Sequence, residues 1–142
     1  MADLRTQDIA ARLHAVSIRL LRMLRREDPA SGLTGPRLSA LSVLVFGGPL
    51  SLAELAAAEQ VSAPTMTRLV DGLEKAGLAT RVPDPDNRRR VRIAASDEGR
   101  RLLDAGRERR VRALTQRLER LAESERRAVE RAIEILERAI KT

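Results

Sequence analysis

The stretch that decides the fold runs from Ser62 to Ala95 and reads SAPTMTRLVDGLEKAGLATRVPDPDNRRRVRIAA. Its first half places apolar residues at the three- and four-residue steps of a helix. Ser62 is a favoured N-cap residue, Pro64 is tolerated in a first helical turn, and Gly77 supplies a C-terminal stop. The pattern predicts a helix over residues 62–76.

The second half of the same stretch is typical of a β-hairpin. Leu78–Val82 is one candidate strand, and Arg88–Ala94 alternates with the period of two that a half-buried strand requires. The residues between them, 83–87, are Pro, Asp and Asn, which favour turns. We therefore expect a hairpin over 81–92 with arginines loaded at its tip.

Another short helix is predicted immediately upstream. Ser51 and Glu54 form a capping-box pattern, in which each side chain bonds the other residue's free amide, and the helix that they open reaches about Ala58. A further helix is predicted over Gly35–Phe46. Two helices joined by a three-residue turn and followed by a hairpin make a winged helix-turn-helix. In that arrangement the second helix enters a DNA major groove, and the hairpin, or wing, reaches the neighbouring minor groove.

Helical patterns also flank this region. One precedes it and ends at Asp28–Gly32, where Pro and Gly interrupt the helix. Ser96 caps a long helix that reaches about Ala122, and Ser124 caps a last helix. The predicted fold is mainly α with a small β-hairpin wing.

The composition excludes several classes of function. The 142 residues contain no Cys, Trp or Tyr and a single histidine, His14. Disulfides, thiolate metal sites and cysteine-based redox sensing are therefore excluded, and most groups used for catalysis at neutral pH are missing. No phosphate-binding glycine loop or nucleophile elbow is present. We expect neither an enzyme nor a bound cofactor or metal. With no apolar run near the ~20 residues of a membrane span and no secretory leader pattern, we expect a cytoplasmic protein without membrane contacts.

The charge is concentrated in the wing. The whole chain carries 27 basic and 20 acidic residues, a net charge of +7. Residues 81–92 hold five Arg and two Asp, whereas residues 34–80 hold three basic and four acidic residues. A bias towards arginine codons alone would not place the charge on this element. The pattern therefore indicates a polyanionic partner, double-stranded DNA, that the wing contacts.

The candidate DNA-binding side chains lie on the two predicted reading elements. Short hydroxyls and guanidinium groups can bond phosphates and base edges in the major groove, and a narrow minor groove attracts arginine. A helix N-terminus can also hold a phosphate. The candidates are Ser62, Thr65, Thr67 and Arg68 for the major groove, Arg88, Arg89 and Arg90 for the minor groove, and Ser51 for a phosphate. The alternative interpretation is an ordinary polar helix face and a solvated basic turn.

Three segments together resemble the MarR family of bacterial transcriptional regulators. They are Ser51–Ala56, Val61–Leu78, and the run from Arg81 through Asp84-Pro-Asp-Asn-Arg-Arg-Arg90 to Ser96-Asp-Glu-Gly99. The resemblance implies a homodimer that binds a palindromic operator, with 34–95 as the DNA-binding unit and 1–33 and 96–142 as the dimerisation unit. It also implies a repressor released by a small-molecule effector, although no ligand-binding residue is marked in this sequence.

The wing of that family usually carries Asp-x-Arg, and two registers fit here. Counting back from Ser96-x-x-Gly99 places Asn87 at the acidic position and Arg89 at the arginine; the literal motif is Asp86-Asn87-Arg88. We favour the first, because it keeps the strand length without an insertion. Two other functions remain open: an effector-independent architectural DNA-binding protein, and a helical protein-interaction module without specific DNA binding.

Overall fold

The architecture is mainly helical with one two-stranded antiparallel sheet. A computed structural model describes residues 3–141. In chain order the elements are α1 (Leu4–Arg25), a short 3-10 helix (Asp28–Ser31), α2 (Gly35–Gly47), α3 (Leu52–Glu59), α4 (Ala63–Lys75), β1 (Ala79–Pro83), β2 (Val91–Ala95), α5 (Asp97–Leu118) and α6 (Glu123–Ile140). The predicted winged helix-turn-helix, a mainly α fold with a small hairpin wing, is confirmed.

The hydrophobic core lies where α2, α3 and α4 meet the base of the hairpin. Apolar side chains from each of these elements, and one from the first half of α5, are removed from solvent. The largest fully buried ones are Leu41, Leu44, Leu55, Met66, Val70, Leu73 and Ile93. The core therefore fixes α4 against α3 and the wing, which are the elements that carry the candidate site.

Local hydrogen bonds explain where α3 and α4 begin. The Ser51 Oγ accepts the Glu54 amide at 3.1 Å, and the Glu54 Oε2 accepts the Ser51 amide at 3.0 Å, so the predicted capping box is present. The Ser62 Oγ accepts the Thr65 amide at the start of α4. Between the helices, Gln60 adopts φ 55°, the left-handed conformation that lets the chain turn within three residues.

The end of α4 is set by Gly77. Its φ of 72° lies in the left-handed region, which glycine enters without steric cost. The Gly77 amide donates to the Glu74 carbonyl and the Leu78 amide to the Leu73 carbonyl, both at 2.9 Å. These two bonds form a Schellman motif, and the side chains of Leu73 and Leu78 are both buried beside it. The chain therefore leaves α4 directly into β1.

The hairpin pairs β1 with β2 in register from Ala79 opposite Ala95 to Pro83 opposite Val91. Leu50, just before α3, adds a single bridge: its amide donates to the Ile93 carbonyl at 3.0 Å, and its carbonyl accepts the Ile93 amide at 2.7 Å. The strand β2 thus pairs with β1 along one edge and with Leu50 along the other.

Three predicted boundaries were wrong. The second strand begins at Val91 and not at Arg88, because the Arg90 amide donates to the Asn87 carbonyl and closes a turn there. The long helix ends at Leu118, before the expected Ala122. Ser124 lies inside α6 and does not cap it.

The physical reason for the last difference is a carboxylate. The Glu125 Oε2 accepts the Ala122 amide at 2.8 Å, which is the glutamate half of a capping box and places the N-cap two residues before Ser124. The N-cap residue is therefore Ala122.

The chain divides into two compact units, one up to Arg107 and one from Glu108 onwards. Neither α1 nor α6 contains a buried residue over its described length. Within residues 3–141, no helix is both long and apolar enough to cross a membrane. The division into a DNA-binding unit at 34–95 and a dimerisation unit at 1–33 and 96–142 stays a prediction.

Candidate nucleic-acid interface

The outer face of α4 is basic. Met66, Val70 and Leu73 point into the core, and helical geometry places Arg68 and Lys75 on the opposite side, where both are exposed. Lys75 was not among the sequence candidates. Its seven-residue spacing from Arg68, which returns to the same helix face, is the signal that could have identified it.

The three hydroxyl candidates of α4 already have partners within the helix. The Ser62 Oγ donates to the Thr65 Oγ1 at 2.9 Å, and the Thr67 Oγ1 donates to the Ala63 carbonyl at 3.0 Å. Ser62 and Thr65 are exposed, whereas Thr67 is half-buried on the flank of the helix. Each oxygen keeps a lone pair for a donor, but Ser62 and Thr65 are better placed than Thr67 to receive one.

The tip of the wing presents three exposed arginines. Arg88, Arg89 and Arg90 lie in the turn between the strands, so their exposure does not depend on the strand alternation that the sequence predicted. The Asn87 Oδ1 accepts the Arg89 amide at 3.1 Å and stabilises the turn. Across the part of the chain that the structure describes, none of the three guanidinium groups has an ion pair.

Asp84 organises the other side of the tip. Its Oδ1 accepts the Asp86 amide at 2.9 Å, and its Oδ2 accepts the Arg92 Nε at 3.1 Å. The pKa of Asp84 is lowered, mainly by the Asp86 amide and further by the Arg92 guanidinium; burial opposes the shift. Asp84 therefore braces Arg92 on β2 and leaves the three tip arginines unpaired.

Arg81 connects the wing to α4. From β1 its Nε donates to the Glu74 Oε1 at 2.8 Å, and its Nη2 donates to the Asp71 Oδ1 at 3.3 Å. Both carboxylates belong to α4, so one arginine neutralises part of the negative charge on the predicted reading helix. In the sequence Arg81 is one of the basic residues of the wing, and this role has no signal there, because partners ten and seven residues away leave no local pattern.

Ser51 is placed differently. Its amide already donates to the Glu54 carboxylate, so an acidic group occupies the donor that a phosphate would use. Ser51 as a phosphate ligand stays a prediction. Arg81 joins β1 to α4 by ion pairs with Asp71 and Glu74, and Ser51 is not part of that network. Among residues 3–141, no cluster of three or more potential ligand side chains could hold a metal ion.

Comparison with known proteins gives the family. The MarR family sequence profile matches residues 31–90. An uncharacterized HTH-type transcriptional regulator of Mycobacterium bovis is 34% identical over 128 residues, which cover 90% of each chain. The structure of a MarR family protein from Bacillus stearothermophilus has a TM-score of 0.77 and 28% identity, covering 100% of both chains. CouR from Rhodococcus jostii, solved bound to p-coumaroyl-CoA, has a TM-score of 0.59 and 26% identity over 95% of both chains. This chain is a member of the MarR family of helix-turn-helix transcriptional regulators and not an enzyme.

Proposed function

We propose that the protein is a homodimeric regulator that binds a palindromic operator in double-stranded DNA, with α4 in the major groove and the wing tip in the minor groove. The observation that carries this proposal is the set of unpaired arginines at the tip, Arg88–Arg90. No carboxylate of the protein offsets the charge of such a guanidinium, so it is available to a phosphate or to the negative potential of a narrow minor groove.

The charges around the tip support the same assignment. The two acidic side chains of the second half of α4 bond Arg81, and Asp84 bonds Arg92. These acids are thereby partly neutralised within the protein. Within residues 62–95, the basic side chains without an acidic partner lie at the tip and on the outer face of α4. That distribution favours DNA binding over a basic surface whose arginines are merely solvated.

Specificity is assigned to α4. Arg68 is exposed opposite the buried face, and an arginine there can donate two parallel hydrogen bonds to a guanine edge. Ser62 and Thr65 supply contacts to phosphates or bases, Thr67 a weaker one, and Lys75 a phosphate contact. Arg88, Arg89 and Arg90 supply the minor-groove contacts, with Arg89 favoured because Asn87 fixes its backbone.

A second copy of this chain is the proposed partner of the terminal helices. Ile9 and Val16 on α1 are 56% and 49% exposed, and Ile133 and Ile140 on α6 are 50% and 82% exposed. Apolar faces of this extent on two helices need a partner. A two-fold dimer buries the same face twice and presents two copies of α4 to two half-sites about 10 base pairs apart.

We also propose that the protein is a repressor released by a small ligand. The support is the likeness to CouR, which was solved with p-coumaroyl-CoA bound. An effector-independent architectural protein is the second candidate function, because phosphate contacts alone would explain the basic tip.

The test is binding to the DNA upstream of the protein's own gene, compared with a scrambled duplex of equal length, at several salt concentrations. We expect a preference of ~10³-fold or more. Equal, steeply salt-dependent binding to both duplexes would instead support the architectural function, and no binding would support an interaction module.

Two variants distinguish the proposed contribution of the wing to DNA binding from that of α4. Arg89→Ala should weaken binding to both duplexes and flatten the salt dependence, whereas Arg68→Ala should cost about 1–3 kcal/mol on the operator and relax base preference. Arg12→Ala is the matched control, because its side chain is 79% exposed on α1 outside the winged helix-turn-helix. Equal affinity of the wild type and Arg89→Ala would contradict the wing assignment.

Dimerisation and release are tested separately. Light scattering at micromolar concentration should give the mass of two chains, and a monomer there would contradict the homodimer. For release, aromatic acids and their coenzyme A thioesters are titrated into the protein–operator complex. Loss of the complex, with expression from the operator rising when the gene is deleted, is the result expected for a ligand-released repressor.

A further inference from the structure

The end of another side chain lies beside Gly72, in the second half of α4, in the space that a Cβ atom would occupy. A Cβ atom built on Gly72 would lie 2.6 Å from the Nε and 2.7 Å from the Cζ and Nη2 of Arg37. Real Cβ atoms do not approach other heavy atoms so closely. The guanidinium of Arg37, which comes from the first turn of α2, therefore rests directly on the backbone of α4.

No backbone conformation explains this glycine. Gly72 lies within the helix, and its φ is not in the left-handed range. A glycine in a helix interior costs about 1 kcal/mol relative to alanine. In return for this cost, the absence of a side chain at Gly72 leaves space for the Arg37 guanidinium.

The position of Gly72 places Arg37 beside the basic face of α4. Gly72 is four residues after Arg68 and three before Lys75, so the three positions are neighbours on the helix surface. Arg68 and Lys75 are exposed, and Gly72 is half-exposed. Arg37 thus adds a third positive charge, from a different helix, to the same surface.

The Arg37 guanidinium is open to a ligand. No acceptor in the described part of the chain bonds it, and the nearby acids of α4, Asp71 and Glu74, bond Arg81 instead. The only buried side-chain nitrogen or oxygen without a partner, among residues 3–141, is the Nε of Arg109. The half-buried Arg37 therefore keeps its nitrogen atoms in contact with solvent, and its guanidinium lies against the backbone of α4 at Gly72.

We infer that Arg37 is a DNA phosphate ligand, seated on Gly72 to complete the basic face formed by Arg68 and Lys75. A guanidinium offers two parallel N–H donors to phosphate oxygens. One that already packs against the backbone at Gly72 loses less conformational freedom on binding than one that extends into solvent. Such a contact positions the protein without reading sequence. The inference rests on the proposed DNA binding and adds a residue to it.

Three variants test the contact: Arg37→Gln, Gly72→Ala and the double variant. Fluorescence anisotropy gives the affinity for the upstream duplex and for a scrambled one over a range of salt concentrations. Arg37→Gln should weaken binding to both duplexes by the same factor and lower the salt slope by about 0.9 per protomer. Arg12→Gln, the same change at an exposed site on α1, should alter the slope less.

Gly72→Ala removes loss of folding as an explanation for weaker DNA binding, because alanine is a better helix former than glycine. The new methyl group displaces the Arg37 guanidinium, so DNA affinity should fall although the helix gains stability, as a raised Tm would show. In the Arg37→Gln background the same change should have no further effect on affinity, because the side chain that it displaces no longer carries charge.

Two results would overturn the inference. One is an unchanged salt slope in Arg37→Gln; the other is an equal loss from Gly72→Ala in both backgrounds, which would mean that the methyl group itself obstructs DNA. A wild-type protein that binds neither duplex would overturn the proposed function and this inference together. Wild-type binding with an unaffected Arg37→Gln variant would overturn this inference alone.

Discussion

Arg81→Gln tests whether charge neutralisation on α4 contributes to DNA binding. The substitution removes the bonds from the Arg81 Nε to Glu74 at 2.8 Å and from its Nη2 to Asp71 at 3.3 Å. The three side chains are 43%, 30% and 53% exposed, so each ion pair is a surface pair. Such pairs are worth ~0.2–1 kcal/mol each, and we expect the free energy of unfolding to fall by about 1 kcal/mol.

The effect on DNA binding follows from the charge. In the proposed dimer, each protomer loses one positive charge next to two carboxylates of α4. For a phosphate about 10 Å away, an extra negative charge costs about 0.4 kcal/mol in water, or about 0.8 kcal/mol over two half-sites. Affinity should therefore fall roughly fourfold at low salt. The difference should shrink at high salt, because the Debye length falls below that distance.

The assay is anisotropy titration of the operator at low and high ionic strength. The matched control is the double variant Arg81→Gln, Asp71→Asn, which restores the local charge without restoring either ion pair; it should regain most of the lost affinity and none of the lost stability. An Arg81→Gln protein that binds as tightly as the wild type at low salt would refute the reasoning. So would a double variant that stays as weak as the single one.

Three further predictions concern stability and assembly. Gly99→Ala should lower stability by about 1–3 kcal/mol in thermal melts, because its Cβ would lie 2.3 Å from the Leu78 carbonyl oxygen and backbone cannot yield easily. Asp84 has a lowered pKa when folded, so its contribution is complete above its ordinary pKa and is lost as the pH falls through the folded value. The Tm of the wild type should therefore drop more steeply below about pH 4 than that of Asp84→Asn, and parallel profiles would contradict this. Ile133→Asp, at a half-exposed position of α6, should give a monomer in light scattering; a dimeric variant would exclude this face from the interface.

Much of the fold could be predicted because its signals are local. The capping box at Ser51 and Glu54, the Ser62 cap and the Gly77 stop each involve residues within a few positions of one another. The order of helices and hairpin then follows from these boundaries and from the period of the apolar residues. The position of Arg68 on the exposed face of α4 also follows from the helix period alone.

Contacts between distant residues could not be predicted in this way. Nothing local distinguishes Arg81, which bonds α4, from the other wing arginines, and nothing local relates Arg37 to Gly72, 35 positions later. The start of β2 was misplaced for a related reason. Alternation of side chains cannot show that the Arg90 amide bonds back to Asn87 and keeps the arginines in a turn.

Ser96 gives the winged helix-turn-helix a mechanical property. Its Oγ donates to the Gly77 carbonyl at 2.6 Å and accepts the Gly99 amide at 3.1 Å, and its amide donates to the Leu78 carbonyl at 3.0 Å. One residue therefore clamps the end of α4, the entry to the wing and the first turn of α5. A displacement of the start of α5 would strain all three hydrogen bonds, so we expect the end of α4 and the base of the wing to move with it.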